Sequence, residues 1–318
     1  MKLVVTGALG HIGSRLIRSF PQHYPGAEIV LLDNLSAQRY CSLFNLPDGV
    51  KYRFVEADVT KVDLAPFVDG ASCVIHLAAI TNAAASFENQ SQVEAVNFQG
   101  TSRVAAACAA ARVPVFYVSS TSVYGTQAEK VDEDCPLSDL QPQSPYAETK
   151  LREEALLAEL GSKEGLRYIA CRFGTIFGVS PGMRFHTAVN KFCWQAVVGQ
   201  PVTVWRTALH QVRPYLDLSD AVRAVNFAIG GNHFPNGVYN VLTFNATVAQ
   251  IVAAIQTRIP DLKVEYVDAK IMNQLSYDVL CDKFKALGFG FEGDLSRGVH
   301  ETLELLHNAR AGAFGPNS

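Results

Sequence analysis

Tyr146 and Lys150 stand four residues apart, which puts both side chains on one face of any helix that holds them. A free phenol gives up its proton only near pH ~10, too high for a good base at neutral pH. A neighbouring ammonium favours the phenolate, and a base matched to the working pH contributes roughly 10²–10⁴-fold to rate. The pair is common on amphipathic helices, so it gains meaning only from its surroundings. Upstream, the apolar run Val115–Val118 leads into Ser119-Ser120-Thr121-Ser122, a row of hydroxyls at a strand end. Ser120 is a candidate that would hydrogen-bond and orient the hydroxyl that Tyr146 would deprotonate.

A second constellation is the glycine turn Thr6-Gly7-Ala8-Leu9-Gly10-His11-Ile12-Gly13, which follows a strand pattern and opens a helix. Glycines let the backbone turn tightly and approach a pyrophosphate. The helix N-terminus adds unpaired N–H donors and the positive end of its dipole. Gly7, Gly10, His11, Ile12 and Gly13 are therefore candidate dinucleotide contacts. Asp33 lies twenty residues beyond Gly13, at the end of the next strand pattern, and Asn34 follows it. A carboxylate there can accept from both ribose hydroxyls and would repel a 2′-phosphate. No Lys or Arg follows immediately, which selects NAD over NADP.

These residues need elements to carry them. Strand patterns occur at 3–6, 28–33, 52–55, 73–77, 115–118 and 167–172, and helical patterns at 14–20, 93–111 and 147–160. Glu148 and Arg152 are spaced for an i,i+4 pair. Continuous apolar strands alternating with helices predict a parallel sheet covered on both faces. After Gly178 the pattern loosens. Ser180-Pro181-Gly182 is a turn, 185–198, 218–229, 248–259 and 298–306 read as helices, and 202–205, 238–241 and 263–267 read as strands. The Ala311–Ser318 tail reads as frayed.

Composition limits the function classes. The chain has 318 residues, 48% hydrophobic, with 27 basic against 30 acidic side chains and a net charge of −3. That excludes a disordered chain and gives no electrostatic footprint for nucleic acid or an anionic membrane surface. The greasiest stretch, Val104–Val118, is broken by Arg112 and Pro114 and is too short to cross a bilayer. Seven scattered cysteines, none in a Cys-x-x-Cys pair, read as free thiols of a cytoplasmic protein. The histidines show no ligand spacing, so no metal is expected.

With these motifs in hand, the sequence resembles the extended short-chain dehydrogenase/reductase family, and within it the nucleotide-sugar epimerase/dehydratase group. The resemblance rests on the glycine turn, Asp33-Asn34-Leu35, Asp58-Val59, His76-Leu77-Ala78-Ala79 and Val96-Asn97-x-x-Gly100-Thr101. It continues through Ser119–Gly125, Ser144-Pro145-Tyr146-Ala147-Glu148-Thr149-Lys150, Arg172-x-x-Thr175-x-x-Gly178 and Arg213-Pro214. It implies an α/β fold: a Rossmann-type doubly wound parallel sheet with a smaller mixed α/β C-terminal substrate domain. The NAD-binding part would be 1–172 with a returning segment about 215–242, and the substrate-binding region 173–214 and 243–318. It also implies that Asp58 and Val59 meet the adenine, that Leu77, Ala78 and Ala79 line the cofactor path near Asn97, and that Lys150 binds the nicotinamide ribose. A homodimer through the 93–111 and 147–160 helices is implied as well.

The residues after Ser120 sort the chemistry. By resemblance, 4,6-dehydratases carry an Asp-Glu pair there, and decarboxylases often a glutamate. Thr121 and Ser122 do no such acid–base work near neutral pH. A C4-epimerase needs only the serine, tyrosine, lysine and NAD. The expected reaction is epimerisation of a nucleoside-diphosphate sugar through a transient 4-keto sugar. A dehydratase or decarboxylase, a net-redox dehydrogenase or 4-ketoreductase, and a non-catalytic cofactor sensor are the alternatives. Arg213 matches the family arginine that grips the diphosphate, since a guanidinium suits bidentate contact. Arg184 and Asn190 are further candidate substrate contacts. Thr175 stands where the group usually has asparagine, a glycine-rich turn before Arg213 is replaced by Arg206–His210, and no later arginine stands around Asn273-Gln274.

Overall fold

The computed structural model describes residues 1–83, 85–125, 129–268 and 276–309. The Asn273-Gln274 stretch and the Ala311–Ser318 tail lie outside the described residues. The first half runs β1 (Lys2–Thr6), α1 (His11–His23), β2 (Glu28–Asp33), β3 (Lys51–Glu56), α2 (Ala65–Val68) and β4 (Cys73–His76). It continues with α3 (Gln90–Val93), α4 (Gly100–Ala111), β5 (Val115–Ser120), β6 (Lys130–Val131), α5 (Pro145–Glu164) and β7 (Tyr168–Phe173). Then come β8 (Thr175–Phe177), α6 (Ala188–Val197), β9 (Val202–Trp205), β10 (Val212–Asp217), α7 (Leu218–Gly230) and β11 (Gly237–Val241). The chain closes with β12 (Phe244–Thr247), α8 (Val248–Gln256), β13 (Val264–Val267), β14 (Asp278–Val279), α9 (Asp282–Lys285) and α10 (Leu295–Leu306).

Seven parallel strands form the main sheet in the order β11-β7-β5-β4-β1-β2-β3. Side chains alternate between its faces. Leu3, Val5, Ile29 and Leu31 enter one core with Leu16, Phe20 and Val225 from α1 and α7. Val4, Val30 and Leu32 enter the other with Val104, Cys108 and Leu157 from α4 and α5. The chain winds one way from β1 to β3 and the other from β4 outward, so the crevice at the carboxyl ends of β1 and β4 is the topological switch point, where ligands bind in such sheets. The order is that of a Rossmann-type fold, as expected. A separate core of Phe177, Phe192, Tyr215, Ile251 and Val299 joins α6, α8 and α10 to the mixed sheet β12-β10-β8. None of the helices among the described residues is long and apolar enough to cross a membrane.

Two local readings are corrected. The helix expected to begin at Val93 starts at Gln90 and winds as a π-helix over Glu94–Gln99 before α4. Arg152 does not pair with Glu148 but forks onto Glu94 across that junction, at 2.5 and 2.9 Å, and stacks over Phe98. Arg213-Pro214 lies in the central strand of the mixed sheet. Pro214 lacks the N–H a ladder needs, but β8 pairs with β10 only from Tyr215 onward.

Candidate functional site

A cavity of about 380 Å³ opens at the switch point. Gly7, Gly10, His11, Ile12, Gly13, Leu77, Ala78, Ala79, Ser120, Thr121, Ser122, Tyr146, Lys150, Thr175, Arg184 and Arg213 all line it. The structure thus gathers residues that the sequence holds far apart. Asp33, Asn34, Asp58, Val59, Asn97 and Asn190 do not line this cavity. No Asp or Glu is among its lining residues.

The glycine turn is shaped by close approach. Gly7 has φ +64°, and a Cβ there would stand 2.6 Å from the Ala78 backbone nitrogen. A Cβ on Gly13 would meet the Ala8 carbonyl oxygen at 2.5 Å. At Gly10 the nearest atoms are the Gly7 carbonyl at 3.2 Å and the Arg39 guanidinium at 3.9 Å. No side chain caps α1, so its first-turn N–H groups remain available for an anion. Asp33 braces the turn, accepting from Leu9 N–H and Leu35 N–H, both at 3.0 Å. Asn34 accepts from Ser36 N–H. Asp58 caps its own turn through Thr60. Burial opposes ionisation of its carboxyl, but the Thr60 hydrogen bonds and Lys61 prevail and hold it below the usual range. Val59 is buried against Gly100. Asn97, fully buried on the π-helical turn, clasps Ile80 by N–H and C=O at 2.8 and 2.9 Å, which fixes the loop after β4. The open helix end, the uncluttered Gly10 and the Asp33 carboxylate beside the turn fit a dinucleotide.

Ser144 caps α5 by accepting from Ala147 N–H, and Pro145 occupies the first turn. That start fixes Tyr146, 9% exposed, and Lys150, 3% exposed, on the inner face. The Lys150 ammonium lies 5.8 Å from the centroid of the Tyr146 ring. It donates to Tyr117 Oη at 3.0 Å and to the Val118 carbonyl at 3.1 Å, and pairs with Glu153 at 3.2 Å. Ser120 Oγ accepts from Ser122 N–H at 3.2 Å and Ser122 O–H at 2.8 Å, which leaves its own proton to donate. Thr121 donates to the Phe173 carbonyl.

Across the cavity, a loop is fastened to the glycine turn. His11 Nε2 meets the Gly178 carbonyl at 2.9 Å, and Gly182 N–H donates to Ser14 Oγ at 2.9 Å. A Cβ on Gly182 would fall 2.3 Å from the Leu9 carbonyl oxygen. Burial first, then Arg184, pushes His11 down to about 3, so it stays neutral. Arg184 donates to Thr81 Oγ1. Its Nε and His11 Nδ1 are buried with no hydrogen-bond partner among the described residues. Asn190 is consumed by structure: it accepts from Gly178 N–H and donates to the Arg184 carbonyl. Arg213 is oriented by Gln211 and the Val212 carbonyl, and burial lowers the guanidinium.

Sequence reasoning missed Arg39, Thr81, Thr187 and Tyr277, which also line the cavity. Arg39 carries a signal in its type and in its place six residues after Asp33. The others reach the cavity from loops without a motif.

A protein-family model described as the NAD dependent epimerase/dehydratase family matches residues 3–241. A trifunctional UDP-glucose 4,6-dehydratase/UDP-4-keto-6-deoxy-D-glucose 3,5-epimerase/UDP-4-keto-L-rhamnose-reductase of Arabidopsis thaliana is 29% identical over 324 residues, 95% of this chain but 46% of that protein. The chain thus spans about half the length of that relative. An uncharacterized UDP-glucose epimerase, YtcB, of Bacillus subtilis (strain 168) is 29% identical over 80% of this chain and 81% of its own. The solved structure of MoeE5 in complex with UDP-glucuronic acid and NAD shares 27% identity at a TM-score of 0.83, covering 97% of this chain and 100% of that one. The turn fits NAD, the cofactor for which the family is described. Because the family match runs from β1 to β11, across the whole sheet that carries the glycine turn and Ser120, the chain belongs to the NAD-dependent epimerase/dehydratase family.

Proposed function

We propose that the chain is a C4-epimerase of nucleoside-diphosphate sugars. The observation that carries this reading is the strand end after Ser120. Thr121 and Ser122 offer only hydroxyls, each engaged in a protein hydrogen bond, and no carboxylate is among the described residues that line the cavity. Elimination of water needs a positioned acid and base beyond the one that takes the hydroxyl proton. Epimerisation does not.

Bound NAD would supply the acceptance and return of hydride at C4. The chain's residues do the rest. Tyr146 takes the proton of the 4-hydroxyl and later gives it back. Ser120 donates to that oxygen and holds it. Lys150 places a positive charge near the Tyr146 ring. Arg213 grips the diphosphate and Arg184 supplies a second guanidinium toward Tyr146, with Thr175, the first residue of β8, against the sugar. Gly7, Gly10, His11, Ile12, Gly13, Asp33, Asn34, Leu77, Ala78 and Ala79 hold the cofactor, with Asp58 and Val59 meeting the adenine beyond the cavity and Asn97 fixing the loop after β4. The segments 173–214 and 243–318 shape the sugar-nucleotide half, and two copies pair through α4 and α5.

A product assay tests this. Purified protein with trace NAD is incubated with UDP-glucose, UDP-glucuronic acid and their dTDP, GDP and CDP counterparts, and products are separated with mass detection. A new product of unchanged mass supports the proposal. Loss of water or of carbon dioxide replaces it with dehydration or decarboxylation, and stoichiometric consumption of NAD replaces it with net redox chemistry.

A further inference from the structure

Behind the cavity, a line of hydrogen bonds runs from the cofactor wall to a buried carboxylate. Leu77 and Ala78 N–H groups donate to Thr6 Oγ1 at 3.2 and 3.3 Å. Thr6 O–H is then left for His76 Nδ1 at 2.7 Å, and His76 Nε2 faces Thr101 Oγ1 at 3.1 Å. Thr101 donates to Glu153 Oε1 at 2.6 Å, and Tyr117 donates to Glu153 Oε2 at 2.5 Å while accepting from Lys150. Every donor points the same way, toward Glu153, which is 0% exposed. The line needs a neutral His76, and burial, then Lys150, pushes that imidazole down to about 3. Burial, then Glu153, raises the Tyr117 phenol well above its usual value, so it remains a donor.

Lys150 has three N–H donors and three protein acceptors: Tyr117, Val118 and Glu153. Of the other charged groups nearby, the buried Arg184 guanidinium also acts on Tyr146 across the cavity and donates to Thr81 Oγ1. Glu154 on α5 is paired with Arg172 of β7 at 2.7 Å, and Arg152 is held by Glu94. Glu153 is therefore the buried anion that faces the lysine.

We propose that Glu153 is a positioning residue for the catalytic pair: it anchors the Lys150 ammonium and offsets part of the positive field that Lys150 exerts on Tyr146. The idea rests on the reading of Tyr146 and Lys150 as the proton-handling pair. Its sign is fixed by Coulomb's law. Removing the carboxylate leaves more net positive charge beside Tyr146 and favours the phenolate.

The test is an ultraviolet titration of the cofactor-free protein, in which subtraction of the Tyr146→Phe curve isolates ionisation of Tyr146. In the Glu153→Gln background the ionisation should move to lower pH by about one unit. The acid limb of the kcat–pH profile should move the same way, with KM changed less than about twofold, since uniform binding is untouched. Superimposable curves in a folded Glu153→Gln protein overturn the proposal. Where Glu153→Gln does not fold, Glu153→Asp, which keeps the charge but withdraws it from Lys150, must give a smaller shift in the same direction, and no shift overturns the proposal. If the wild-type chain turns over no nucleotide sugar, the proposed function fails, while the titration still decides the role of Glu153.

Discussion

Tyr146 and Lys150 differ in what their loss does. Tyr146 has its ring buried at the cavity wall, and Phe preserves that packing. Tyr146→Phe should cut turnover by roughly 10²–10⁴-fold while the thermal midpoint stays put. Lys150→Ala strands Glu153 as a buried carboxylate without its cation. That should cost about 3–5 kcal/mol of stability on top of the catalytic loss. Calorimetry beside an activity assay checks the contrast, and equal melting of the two variants would contradict the geometry. That Tyr146 and Lys150 share one helix face was legible from their spacing alone. Glu153 was not, because nothing in Lys-x-x-Glu says that both ends are dry. Asn190 illustrates the opposite case: its amide is spent on Gly178 and Arg184, which only the fold reveals.

Among the elements, the strands β1, β2, β4, β5 and β7 were legible from short, largely apolar runs, since both faces are buried. The mixed sheet was not. Strand β8 has three residues, β10 contains a proline and β12 four residues, too short for a period to register. The π-helical turn is invisible to a 3.6-residue pattern, yet it is what aims Asn97 at Ile80. Gly182 read only as part of a turn, but its lack of a side chain lets the loop lie on the glycine turn. Gly182→Ala should lift that loop. A strain of about 1–3 kcal/mol predicts NAD affinity weakened by about five- to 150-fold, read by titration of the cofactor, with the sheet intact by circular dichroism. Unchanged affinity would mean that the loop does not support the turn.

At the scale of the whole molecule, two imidazoles couple pH to folding. His11 and His76 are pushed from the ordinary 6.5 to about 3, chiefly by burial. The unfolded chain binds their protons first, so stability is full above pH 6.5 and falls as pH drops toward about 3. Urea midpoints measured across that window should decline steadily, and a flat series would contradict neutral folded-state histidines.

The fastening of the Gly178–Gly182 loop to the cofactor turn has a consequence for redesign. A sugar pocket transplanted from a relative cannot be cut at the end of the main sheet. The graft must bring a backbone as slim as Gly182, and the recipient must keep His11 and Ser14 to receive it. A chimera spliced without that seam would carry a new pocket hinged loosely to its own redox partner.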